Sequence, residues 1–213
     1  MLIILEGIDG CGKSTLAQAL TDYFFSQGKS SKIVKSPSES MKQYLGKIQS
    51  PISKTLLFLG DIAELIDQQI IPALNDGTIV ICDRLWPSTL VYQMVGLSKY
   101  PKILDRSQDV VAFSILGAFS YADNGNGYKH FLTESPHIFI LDTPTKTAFK
   151  RAESRAPLDE FEKESLQEWD YRRQRYLSLD EEKDLFGLDP VYLKTSGKTT
   201  NDLLSEVVRY LED

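Results

Sequence analysis

Eight residues near the start of the chain, Gly7-Ile8-Asp9-Gly10-Cys11-Gly12-Lys13-Ser14, carry the spacing GxxxxGK[ST], and their chemistry is that of phosphate binding. Glycines at 7, 10 and 12 let backbone N–H groups converge on phosphate oxygens at a helix N-terminus, where the macrodipole also favours anions. Lys13 adds a mobile point charge for the β and γ phosphates, and the Ser14 hydroxyl suits a magnesium ion. Phosphoryl transfer further asks that two partners be placed in line and that lysine, arginine and magnesium neutralise the moving charge. Three other clusters fit that demand. Asp83-Arg84 offers a planar guanidinium, suited to phosphate; its plain alternative is an ion pair at a strand end. Lys150 to Glu162 reads as two arginines, a proline break at Pro157 and paired acids. A mobile cover there would bring Arg151 or Arg155 onto a γ-phosphate and exclude water, whereas a solvated charged surface is the everyday meaning of such a run. Ser88 and Tyr92, like Thr89 and Gln93, are four residues apart, so their polar groups share a helix face and could read a base edge. Phe58 is either a core aromatic or a platform on which a base stacks.

Short apolar runs must hold these groups in place. Leu2-Ile3-Ile4-Leu5 has the continuous pattern of a buried parallel strand and leads straight into Gly7. A helix follows from about Lys13, with Leu16, Leu20 and Phe24 on one face and Gly28 as its stop. Further strands are expected at 30–36, 78–82, 138–141 and 191–193, with 78–82 delivering Asp83-Arg84 and 138–141 delivering Asp142. Helices are expected at 41–49, at 53–75 with its last turn loosened by Pro72, and around Leu203, Leu204, Val207, Val208 and Leu211. Strands alternating with helices predict an α/β chain of the P-loop NTPase fold: a five-stranded parallel sheet, helices on both faces and a mobile lid. Ligands bind such sheets at the carboxyl ends of the strands, where all these clusters fall.

The 213 residues suit a single domain, with a lid at about 151–162 and a least readable segment at 94–136 that contains the turn signal Asn124-Gly125-Asn126-Gly127. A net charge of −6 argues against a nucleic-acid binder and for a small anionic partner. No apolar run approaches the roughly 18 to 20 residues of a membrane span, and no signal-peptide pattern is read, so a cytoplasmic, membrane-free protein is expected. Cys11 and Cys82, the only cysteines, are too few for a disulfide scaffold or a zinc site. In many phosphate-loop folds they would lie on neighbouring strands, as small buried residues or as a redox switch.

The stretches LEGIDGCGKST at 5–15, LLF at 56–58, IIPALNDG at 70–77, ICDRLWPSTLVYQ at 81–93, FILD at 139–142 and RAESRAPLDEFEKESL at 151–166 together resemble the thymidylate kinase family. Gly10 combined with lid arginines looks like its bacterial subclass, in which the catalytic arginine comes from the lid. The resemblance implies ATP as donor and magnesium as cofactor, with a deoxynucleoside monophosphate, first of all dTMP, as acceptor, in a homodimer. It implies that Gly7, Gly10, Cys11, Gly12, Lys13, Ser14, Thr15 and Arg151 bind ATP, and that Lys13, Arg84, Arg155 and Asp9 carry the catalysis. By the same resemblance Asp9 accepts a hydrogen bond from the 3′-hydroxyl and Arg84 holds the acceptor phosphate. Phe58 stacks on the base, Ser88, Thr89 and Gln93 line the acceptor site, and Tyr92 bars a ribose 2′-hydroxyl. Ser14, Asp159 and Glu162 belong to the magnesium side. The chain departs from the family pattern at Ile62, where an arginine follows the LLF helix, at Lys35-Ser36-Pro37-Ser38, which lacks an arginine beside the proline, and at Leu85. These changes surround the acceptor, so a modified deoxynucleotide acceptor, a deoxynucleoside kinase and a non-catalytic nucleotide binder stand as alternatives, and a phage or viral origin would suit them. Lys35 is the candidate replacement cation.

Overall fold

Two runs without a single charged residue in their interiors, Leu2–Leu5 and Ile79–Cys82, are what a strand buried on both faces requires. The computed structural model describes residues 1–45, 47–98, 136–155, 163–182 and 189–212, with the side chains of 51, 52, 93–98, 181 and 182 outside that description. Among these residues the strands are β1 Leu2–Glu6, β2 Ser31–Lys35, β3 Ile79–Asp83, β4 His137–Asp142 and β5 Pro190–Lys194. They form one sheet in the order β2-β3-β1-β4-β5, parallel throughout. All five lie where the apolar runs put them, and β1 and β3 are buried along their whole length. The register sets Leu5 against Asp83 and Glu6 against Ile140, which brings Glu6, Asp83 and Asp142 to one carboxyl edge.

Helices cover both faces of this sheet. Helix α1 (Lys13–Ser26) rises directly from the phosphate loop and buries Leu16, Leu20 and Phe24. Its N-cap, Gly12, has φ +107 and offers no capping side chain. Its end at Gly28, φ +70, is the left-handed C-terminal stop that glycine tolerates. A short helix α2 runs over Glu39–Leu45. The expected helix at 53–75 is three pieces: α3 (Pro51–Leu65), a π-helical turn (Ile66–Ile70) and α4 (Ile71–Asn75). Pro72 has no N–H to give the carbonyl four residues back, and the widened turn lies just upstream of that break. Helix α5 (Trp86–Ser98) follows β3, and α6 (Thr145–Arg155) follows β4. Helix α7 (Leu166–Leu177) starts with a reciprocal capping box between Ser165 and Glu168, a device that contributes roughly 0.5 to 2 kcal/mol. The last helix, α8 (Thr200–Glu212), buries Leu203 and Val207 and packs on α1.

Arg151 and Arg155, expected in a lid, lie in the C-terminal part of α6. Asp159 and Glu162 lie outside the described residues, as does most of 94–136. No helix among the described residues is long and apolar enough to cross a membrane.

Candidate active site

The phosphate loop turns on glycine. Gly7, Gly10 and Gly12 all have positive φ, and a Cβ at Gly7 would stand 2.7 Å from the Leu141 carbonyl oxygen. Gly10 is tighter still: a Cβ there would lie 2.1 Å from the Ala148 carbonyl oxygen and 3.2 Å from the Ala152 nitrogen, both backbone atoms of α6. This close approach lets α6 come down on the loop and bring Arg151 and Arg155 to its rim. Beside the loop opens a cleft of about 570 Å³ lined by residues 10–16, Lys35, Arg151, Arg155, Thr195, Lys198, Thr200 and Leu203. Lys13, buried, donates from Nζ to the carbonyls of Gly7 and Ile8, each at 3.0 Å. Ser14 Oγ donates to Asp83 Oδ2 at 2.5 Å, and Lys35 Nζ stands 3.9 Å from the same oxygen. The two strand-end neighbours Asp83 and Arg84 therefore do not pair with each other. Asp83 meets the phosphate loop at Ser14, and Arg84, at positive φ, meets its other side at Asp9.

Arg84 is the one non-glycine residue with positive φ, +70, among the described residues. Its N–H donates to the Leu5 carbonyl at 3.0 Å, so the strained residue is tied to the end of the central strand. The guanidinium reaches four partners: Nη2 donates to Asp9 Oδ1 at 2.6 Å and Tyr92 Oη at 3.1 Å, and Nη1 to Tyr176 Oη at 2.8 Å and Ser88 Oγ at 3.0 Å. Tyr92 Oη in turn donates to Asp9 Oδ2 at 2.8 Å. Burial would raise the Asp9 carboxyl, but Arg84, Lys13 and the hydrogen bonds from Tyr92 and Arg84 outweigh it and hold Asp9 below the ordinary carboxylate range. Burial pushes the Tyr92 and Tyr176 hydroxyls well up, so both stay protonated donors.

Beneath this wall lies Glu6, fully buried at the end of β1. Its carboxylate accepts from the N–H groups of Leu85 and Ser88 at 2.9 and 3.3 Å, from Ser88 Oγ at 2.6 Å and from Tyr176 Oη at 3.2 Å. Burial raises its carboxyl above the ordinary range, with Arg84, the hydrogen bonds from the Ser88 hydroxyl and the Leu85 N–H, and Lys13 opposing. Glu6 thus fixes both the first turn of α5 and the two hydroxyls that orient Arg84.

The structure brings Asp9, Arg84, Ser88 and Tyr92 into one hydrogen-bonded wall, and Gly10 to Thr15, Arg151 and Arg155 into one cleft. Phe58, on α3, is buried at 9% exposure, and Thr89, on α5, at 2%. Gln93 belongs to α5, but its side chain is outside the described set. Cys82 is buried on β3 and burial pushes its thiol up; Cys11 is also buried but belongs to the loop, not to a neighbouring strand.

A family model described as thymidylate kinase matches residues 5–113. A thymidylate kinase of Chlamydia felis is 33% identical over 192 residues, which cover 85% of this chain and 84% of that protein. The chain belongs to the thymidylate kinase family. A thymidylate kinase of Fervidobacterium nodosum is 30% identical over 195 residues, covering 87% and 88% of the two chains. A probable thymidylate kinase of Pyrococcus horikoshii is 31% identical over 176 residues, covering 76% and 74%. As a member of the thymidylate kinase family the protein is a nucleoside monophosphate kinase that takes its phosphoryl group from ATP.

Within this thymidylate kinase frame, the departures have physical settings. Ile62 is 3% exposed and belongs to the core, while its neighbour Asp61 accepts from Ser38 N at 2.9 Å and from Ser38 Oγ. The loop after β2 is therefore held by a carboxylate and a serine. Sequence reasoning did not single out Asp83 as the partner of Ser14, nor Glu6, Tyr176 or the Thr143–Thr195 pair, whose hydroxyls lie 2.6 Å apart while Thr143 also donates to the Cys11 carbonyl at 3.3 Å. A glutamate closing an otherwise apolar strand was the one available signal, because a buried carboxylate must find donors.

Proposed function

We infer that this protein phosphorylates dTMP to dTDP with ATP by direct in-line transfer, through the residues of the cleft and the wall. The observation that carries the reading is the division of the carboxyl edge: a cationic cleft on the phosphate loop, and next to it, across Asp9, a wall built on Arg84. ATP lies in the cleft, its phosphates on the loop from Gly7 to Thr15. Lys13 exchanges its two carbonyl partners for phosphate oxygens. Arg155, with Arg151 beside it, meets the γ-phosphate and keeps water from it. The acceptor lies along the wall: Arg84 clamps its phosphate, Asp9 accepts from the 3′-hydroxyl, and Tyr92 lies against the sugar where a 2′-hydroxyl would clash. Phe58 stacks on the base, with Thr89 and Gln93 at its polar edge. Ser88 orients Arg84 from below.

Magnesium fits the Ser14–Asp83 pair, since a hydroxyl and a carboxylate 2.5 Å apart are hard oxygen donors of the kind that ion takes. Held there by Ser14 and Asp83, the ion would supply positive charge to offset that of the phosphates. Asp159 and Glu162 would add acids on the same side. Family membership supports a homodimer in a cytoplasmic setting, and the charge of −6 supports small nucleotides as the partners.

The test is an acceptor panel with ATP and magnesium: dTMP, dUMP, the other deoxynucleoside monophosphates, and thymidine. The expected result is dTDP formed fastest of all products. Absence of a diphosphate from every monophosphate would overturn the reading, and thymidine consumed faster than dTMP would turn it toward a deoxynucleoside kinase.

A further inference from the structure

Tyr92 meets two guanidinium groups, and only one belongs to the wall already described. The Arg84 guanidinium carbon lies 4.9 Å from the ring centroid, and that of Arg172, on α7, lies 4.6 Å from it. Arg172 is 4% exposed and forms an ion pair with Glu164, which precedes the Ser165 cap of the same helix. Tyr176, one turn further along α7, touches the Tyr92 ring edge-on at 6.4 Å between centroids. A desolvated guanidinium against an aromatic ring is held by the ring quadrupole, and its planar form resists replacement by an ammonium. The hydroxyl at the other end of Tyr92 is pinned by Asp9 and Arg84. Ring and hydroxyl are thus held separately, and Arg172 is one of the groups that hold the ring, with Arg84 and Tyr176. A buried ion pair is weak grounds for stability, because desolvation offsets much of its attraction. A role in holding one geometry is what remains.

We propose that Arg172 is a positioning residue for the acceptor sugar: by bracing the Tyr92 ring from α7, with Glu164 as its counter-ion, it sets how strictly the site distinguishes a deoxyribose from a ribose. The inference rests on the reading of Tyr92 as the sugar contact. Arg172 itself touches no reacting atom in this scheme. Loosening the ring lets Tyr92 retreat from the place a 2′-hydroxyl would take, so the preference narrows while the ATP cleft, on the far side of the phosphate loop, is left alone.

The experiment compares kcat/KM for dTMP with that for ribothymidine 5′-monophosphate, which differs by the 2′-hydroxyl alone, in the full-length protein and in Arg172→Met, Arg172→Lys and Tyr92→Ala. Arg172→Met should lower the dTMP preference about tenfold, through KM for the acceptors, with KM for ATP unchanged. Arg172→Lys keeps a charge for Glu164 but loses the planar face, so its preference should fall at least about twofold; it also serves where Arg172→Met does not fold. A purely structural role would scale both acceptors equally. A preference equal to the parent's in whichever Arg172 variant folds overturns the proposal. If Tyr92→Ala also leaves the preference unchanged, the sugar-contact reading fails with it; if Tyr92→Ala lowers it and the Arg172 variants do not, only this inference falls.

Discussion

Replacing Gly10 by alanine adds one methyl group at the tightest point of the site. The added carbon would stand 2.1 Å from the Ala148 carbonyl oxygen and 2.9 Å from the Ala148 carbonyl carbon, where ordinary contact begins at 3.4 Å. Both are backbone atoms, so no side chain can swing aside, and loop and helix α6 must part by roughly 1 Å or more. The left-handed φ of +71 adds strain of about 1 to 2 kcal/mol. Gly28→Ala isolates that second cost, since φ there is +70 and nothing lies within 4 Å of an added Cβ. Both variants should therefore lose comparable backbone stability, and Gly10→Ala more through the overlap. Their activities should separate far more. Helix α6 carries Arg151 and Arg155, and a misplacement of about 1 Å costs on the order of 10²-fold in rate. Steady-state kcat at saturating ATP and dTMP, with urea denaturation of the same preparations, reads both quantities. Gly28→Ala should keep the parent kcat. A Gly10→Ala enzyme with kcat within about threefold of the parent would refute the argument that this contact places Arg151 and Arg155 for the reaction.

Three other outcomes follow from the same geometry. Lys13→Ala should lower kcat by about 10² or more, since it removes the mobile charge of the loop; a loss under about tenfold would place the charge stabilisation elsewhere. Asp83→Asn should raise the magnesium concentration for half-maximal activity about tenfold, and an unchanged magnesium titration would exclude Asp83 from the ion's surroundings. Asp9 is held below its ordinary 3.8 in the folded protein, so its charged form contributes stability that is present above that value and is lost as pH falls below it. The stability gap between the parent and Asp9→Asn, measured by urea titration, should shrink from pH 5 toward pH 3. A gap that stays constant would mean that the Arg84–Asp9 pairing adds nothing to folding.

What the sequence made legible is local. The strands were readable because parallel strands covered on both faces are short unbroken apolar runs, and the loop because its glycines, lysine and serine lie within eight residues. Pro72 announced a disturbed helix, though not the π turn through which it is absorbed. What stayed hidden depends on register. Asp83 and Arg84 are neighbours in the chain, yet they serve opposite sides of the phosphate loop because successive residues at a strand end diverge, one of them at positive φ. Glu6, Tyr176 and Arg172 come from β1 and α7, and no spacing rule joins residues 6, 84, 92 and 172. Arg172 sits in a charged helix whose look is that of a solvated surface, and only the packing of α7 on α5 shows it buried.

The π turn at Ile66–Ile70 has a consequence for how this chain can change length. It holds one residue more than an α-helical path needs, while Ile66 and Ile70 remain in the core on either side of it. Deleting a residue there would restore an α-helical path, because the wide turn absorbs the extra residue without shifting the phase of the helix faces on either side of it. Phe58, Asp61 and Ile62 would keep their faces toward the loop that Asp61 secures and the core that Ile62 fills. The same deletion within the regular turns of α3 would instead rotate everything before it by about 100° relative to everything after it. The segment thus tolerates at the π turn a change of length that it would not tolerate one turn away.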